Sequence, residues 1–153
     1  MISFNKILSN LRGSEPGVPR MANKVKPAAE EVSAEALELA RGKVAGCNLK
    51  GAKLSGANLR KAYLFDANLR EAHLAGTNLS QAYLTCADLS LADLSLADLS
   101  GATLWKAKLL GANLTGTDLR RANLTYADLS GANLRGANLA GANLTDVVGL
   151  ELK

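Results

Sequence analysis

Leucine stands at every fifth position from Leu49 to Leu144, 20 residues in unbroken succession, and the residue two before each is Ala except at Cys47, Thr77 and Thr117. A period of five fits neither the 3.6 residues of an α-helix nor the two of a simple strand, so each five-residue unit must turn a corner before it repeats. Leu and the small residue two before it then face inward, and the other three positions face outward. Gly closes many units, among them Gly51, Gly76, Gly101 and Gly141, which suits a bend that requires positive φ. Short extended segments turning in one sense build a coil, and stacked coils pair backbone to backbone at about 4.8 Å.

Units such as Ala57-Asn58-Leu59-Arg60-Lys61, Ala112-Asn113-Leu114-Thr115-Gly116 and Ala132-Asn133-Leu134-Arg135-Gly136 resemble the A(D/N)LXX consensus of the pentapeptide-repeat family. The resemblance implies an all-β solenoid, a right-handed quadrilateral β-helix with four units per coil. Twenty units then make about five coils. Leu49, Leu69, Leu94, Leu114 and Leu139 are representative of the expected core. Each buried Leu contributes about 1.5–3 kcal/mol, more than any surface charge pair at about 0–1 kcal/mol. The Asn or Asp before each Leu is expected to serve the scaffold by bonding local backbone.

Only 4% of the 153 residues are aromatic, so an ordinary globular core is a poor way to bury a chain that is 48% hydrophobic. The sequence divides into four stretches. Residues 1–26 hold an amphipathic segment, with Phe4, Ile7, Leu8 and Leu11 on one helical face, followed by a linker around Gly13–Pro19. Residues 27–42 read as a helix begun by Pro27 and stopped at Arg41-Gly42, with the expected task of covering the open end of the repeat core. The repeats occupy 43–146. The apolar tail 147–153 breaks the register, since Gly149 falls where Leu should be, and is expected to close the last coil or to form a homodimer contact through the C-terminal end.

With four units per coil, residues 20 apart lie one above another. The units beginning at Ala62, Ala82, Ala102, Ala122 and Ala142 then share a face, which carries Tyr63, Phe65, Tyr83, Trp105 and Tyr126, every aromatic residue of the block. An apolar patch on a polar rod is usually covered by something. The amphipathic N-terminal segment, a protein partner or a self-association contact, and stacked bases or a small ligand are the alternatives. Arg60, Lys61, Arg120 and Arg121 form a candidate basic surface, interrupted by Ser80-Gln81 and Ser100-Gly101.

Several function classes are excluded or weakened by what is missing. One His and two Cys give no metal-ligand spacing, no cofactor motif is present, and nothing pairs His73 with a nucleophile, so the chain is expected to be no enzyme. Cys47 takes an inward position and Cys86 an outward corner. A DNA-mimicking inhibitor of gyrase or topoisomerase, a role known in one subset of the resembled family, needs an acidic surface, whereas this chain carries a net charge of +4. That charge is in turn modest for a nucleic-acid-binding rod. No apolar run has the length of a membrane span. The expectation is a cytoplasmic, non-enzymatic scaffold that presents its aromatic face to a partner protein, with an organelle or thylakoid location as the alternative. The resemblance further implies a bacterial, often cyanobacterial, source.

Overall fold

The computed structural model describes residues 46–150. The amphipathic segment and linker expected over 1–26 and the capping helix expected over 27–42 lie outside the described residues, as does the end of the tail after Leu150. Each five-residue unit supplies one bridged residue and one turn, and neither a helix nor a longer strand occurs among the described residues. The bridged residue is the one before each Leu. It pairs in parallel with the residue 20 positions on, from Asn48 with Asn68, through Asp93 with Asn113, to Asp128 with Val148. Four units therefore complete one turn of a four-sided solenoid.

Backbone hydrogen bonds run along the rod in a fixed pattern. The N–H of each register Leu from Leu49 to Leu129 donates to the residue 19 ahead, as Leu94 does to Asn113 O at 2.8 Å, while the bridged residue donates back to the turn before, as Asn113 does to Ala92 O at 2.9 Å. Corners close locally. Ala97 N–H reaches Leu94 O at 3.0 Å, a four-residue turn whose third residue requires positive φ. That residue is Leu96, at φ 56°, and the same corner position is left-handed in every described unit. Gly holds about half of these corners. The others hold side chains as large as Leu91, Arg121 and Tyr126, each in a conformation that costs an L-residue about 1 kcal/mol.

The core is two kinds of column. Leu49, Leu69, Leu94 and Leu114 are essentially inaccessible, as are the inward Ala residues from Ala57 to Ala127. Thr77 and Thr117 occupy Ala positions on one face and are also fully buried. Their hydroxyls donate to Leu54 O and Leu94 O, each at 2.8 Å, so the two polar exceptions to the Ala column are satisfied by carbonyls of the turn above. Cys47, the third exception, is buried, and burial pushes its thiol up to about 12.

Leu139 departs from its expected place in the sealed core. It points inward and packs against the core cluster, yet it is only partly buried, as are Leu134 and Leu144. The reason is position. Their counterparts Leu119 and Leu124 donate to Asn138 O and Asn143 O one turn on, whereas Leu139 and Leu144 have no such turn beneath them among the described residues. The break at Gly149 also has a physical cause. Gly149 sits at φ 70° directly against Ser130, and a Cβ there would collide with that residue's backbone. Just before it, Val148 still pairs with the turn above, taking Leu129 N–H at 2.8 Å and donating to Ala127 O at 2.9 Å.

The Asn and Asp before each Leu bond the backbone two residues on. Asp93 accepts from Ser95 N–H at 3.1 Å and Asp128 from Ser130 N–H at 2.9 Å, and the Asn residues do the same, as Asn133 does from Arg135 N–H. For Asp93 and Asp128 the hydrogen bonds from Ser95 and Ser130 hold the carboxyl below its ordinary value of 3.8. Folding thus makes these groups harder to protonate. Their stabilisation is fully present above the ordinary value and is lost as pH falls through the depressed ones. The thermal midpoint should hold from neutrality to about pH 4 and drop below it. Asp93→Asn with Asp128→Asn should flatten that acid limb; an unchanged limb would assign acid unfolding to other groups.

Candidate functional site

All five aromatics expected on one face are there, because the 20-residue stacking carries their positions into register. The register does not place them in contact, and the structure divides them in two. Tyr63 and Tyr83 are bridged to each other through the backbone, and their rings stack at 4.8 Å with planes 9° apart. That separation is the spacing of neighbouring strands, so two Tyr residues 20 apart stack without further adjustment. Phe65 leans against both, at 5.9 Å from Tyr63 and 5.7 Å from Tyr83. Trp105 and Tyr126 form the second group, edge to face at 6.3 Å and 87°. Lys106 Nζ lies over the Trp105 ring at 4.3 Å and within 6.0 Å of the Tyr126 ring. Cys86, partly exposed, is on the same face.

The rings are not sealed. Tyr63, Tyr83 and Tyr126 are 44%, 37% and 51% exposed, and Phe65 and Trp105 are half-buried. Such side chains have already lost much of their rotamer freedom to their neighbours. A partner covering them would therefore recover apolar burial at little ordering cost.

The candidate basic surface does not form a stripe. Arg60 and Lys61 are exposed at one corner, and Ser80, Gln81, Ser100 and Gly101 separate them from Arg120 and Arg121. Arg120 turns back on its own unit, with Nε 2.9 Å from Asp118 Oδ1 and Nη2 2.6 Å from Oδ2. Its hydrogen bond draws Asp118 below the ordinary carboxylate range and offsets the guanidinium charge. Below Gln81 the corner opens into a groove of about 670 Å³, floored by Ser100, Gly101, Ala140 and Gly141 with Arg120 and Arg121 at its side.

Three exposed leucines lie outside the register that builds the core. Leu91, Leu96 and Leu110 are 55%, 75% and 50% exposed. Leu91 and Leu96 close their units, and each lies over a glycine one turn on, Gly111 and Gly116, where a Cβ would be 2.9 Å from the Leu Cδ2. The signal was present in the sequence as leucines displaced from the five-residue count. His73 is exposed on the face of Asp93, and no group of three metal-ligating side chains occurs among the described residues. No described helix is long and apolar enough to cross a membrane.

The family model for pentapeptide repeats matches in 8 copies, over residues 44–72, 62–101, 97–136 and 112–148. Among solved structures, the chain is 36% identical to HetL, a pentapeptide repeat protein involved in heterocyst differentiation regulation in the cyanobacterium Nostoc. That match covers 69% of this chain and 60% of HetL, with a TM-score of 0.31, so the chain spans less than two thirds of HetL. A pentapeptide repeat protein of the Arabidopsis thaliana thylakoid lumen is 33% identical, over 78% of this chain and 75% of that one, with a TM-score of 0.41. Another from Nostoc is 32% identical, over 76% and 84%, with a TM-score of 0.41. No curated protein matches significantly. An unbroken Leu register, bridges between residues 20 apart and a family match spanning nearly all the described residues agree: the chain belongs to the pentapeptide-repeat family, whose members fold as right-handed quadrilateral β-helices.

Proposed function

We propose that this chain is a non-enzymatic scaffold, a rod of about five coils that offers its aromatic face to a protein partner. The observation that carries the reading is the gathering of Tyr63, Phe65, Tyr83, Trp105 and Tyr126 into two ring clusters on one side of the rod, each cluster with an exposed Tyr. Tyr and Trp are favoured anchors at interface centres, and truncating an anchor typically costs about 2 kcal/mol or more. The duplex-mimicking alternative requires a negative surface that a chain of net charge +4 does not carry. A nucleic-acid-binding rod requires a continuous basic stripe. Arg120 is withdrawn from any such stripe by Asp118.

Affinity capture with the intact chain, repeated with Tyr63, Tyr83 and Trp105 changed to Ala, tests the proposal. A stoichiometric protein should be captured by the intact chain and its recovery should fall at least about tenfold with the triple variant. Equal recovery from both would end the assignment of this face. A second contact is proposed for the C-terminal end, where the partly buried Leu134, Leu139 and Leu144, and the N–H groups of Leu139 and Leu144, which have no backbone acceptor among the described residues, suit a second copy of this chain. The cost of Leu144→Ala would then grow with protein concentration.

A further inference from the structure

The corner beside the aromatic face is shaped by an alternation of long and absent side chains. Going down the rod, the left-handed corner residues are Gln81, Gly101, Arg121 and Gly141. Each long side chain lies along the rod axis over the next glycine: Gln81 Cγ is 3.6 Å from where a Cβ of Gly101 would be, and Arg121 Cγ is 3.5 Å from where one of Gly141 would be. The stems are thus seated, and both residues line the open groove.

Its two cations differ. Asp118 takes both Nε and Nη2 of Arg120, and Asp98 on the same face adds its charge to that pair. Arg121, one residue on, has no carboxylate partner among the described residues, whereas Lys50 and Arg70 elsewhere on the rod meet Glu71 at 3.2 Å and Asp88 at 3.6 Å. Arg121 also immediately precedes Ala122–Tyr126, the unit that brings Tyr126 to the aromatic face.

We propose that this groove is an anion site, in which the Arg121 guanidinium, its stem laid along the groove over Gly141, receives a carboxylate from an acidic segment of the partner docked on the aromatic face. The proposal rests on the partner-binding reading of that face. A planar fork with one positive charge matches a carboxylate in shape and charge. A phosphate dianion would ask for a second free cation or a nest of backbone donors. Arg120 is already paired. The backbone N–H groups of Gln81, Gly101 and Arg121 are also committed, to Ser100 O, Arg120 O and Ala140 O at 2.9, 2.8 and 3.1 Å.

The test titrates the full chain with a short poly-L-glutamate peptide and follows the Arg121 side-chain N–H resonance and the dissociation constant. Arg121→Gln is the informative variant, because Gln81 already occupies the same corner at the same φ of 58° and the fold accepts it. Arg135→Gln removes one exposed charge elsewhere and matches the change in net charge. The expected result is a shift of the Arg121 resonance, binding weakened about tenfold by Arg121→Gln and binding unchanged by Arg135→Gln. Equal weakening by both variants would reduce the site to diffuse charge, and a stronger response to inorganic phosphate or to a short DNA duplex would reassign it; either overturns the proposal. If Arg121→Gln binds glutamate like the unmodified chain while the aromatic triple variant still loses its captured protein, the anion site fails and the partner face stands. If the triple variant keeps its captured protein, the partner reading fails whatever glutamate does.

Discussion

Leu94→Asp should abolish the cooperative thermal melt of the repeat domain. Leu94 is fully buried, and its backbone ties its own turn to the next, since its N–H donates to Asn113 O and its carbonyl accepts from Ala97 N–H and the Thr117 hydroxyl. The substitution removes about 1.5–3 kcal/mol of Leu burial. It also strands a carboxylate in a column of Leu side chains at a penalty of several kcal/mol. The sum is comparable to the whole stability of a typical domain, about 5–15 kcal/mol. Leu96→Asp, two residues on, is the control. Leu96 is 75% exposed at a left-handed corner, and Asp66 and Asp146 occupy equivalent corners. Circular dichroism melts of the two variants should therefore diverge completely. A cooperative, nearly unchanged melt for Leu94→Asp would overturn the inward assignment.

The second large effect is a gradient along the rod. Leu89→Ala, in a fully enclosed level, should cost about 3–5 kcal/mol, since the cavity left behind cannot collapse between turns fixed by hydrogen bonds above and below. Leu144→Ala removes the same atoms from the last described level, where Leu144 is only partly buried and the lost contacts are fewer, and it should cost roughly half as much or less. Denaturant melts at low protein concentration measure the difference. Equal costs at the two levels would mean that the C-terminal end is covered. A Leu144→Ala cost that climbs as protein is concentrated would identify the cover as a second copy.

Much of this molecule was legible because its repeat is local. Five residues fix where the chain bends, and a Leu at the third position of each unit is carried inward by covalent geometry alone. The five aromatics could be gathered onto one face by counting in twenties. The same counting could not show that Tyr63, Phe65 and Tyr83 form one cluster and Trp105 with Tyr126 another, because ring contact depends on how each side chain turns once the turns are stacked. Nor could it show that Arg120 bends back to Asp118 while Arg121 stretches over Gly141. Two adjacent arginines look alike in a sequence.

The Leu and Ala columns, the left-handed corners and the sharing of one face by the aromatics were thus determined by sequence, since each follows from a period of five and from side-chain direction. The pairing of rings, the pairing of Arg120 with Asp118 while Arg121 lies over Gly141, and the partly open level at Leu139 were decided by tertiary structure. The physical reason is that these depend on what lies one turn above or below, 20 residues away in the chain but about one strand spacing away in space.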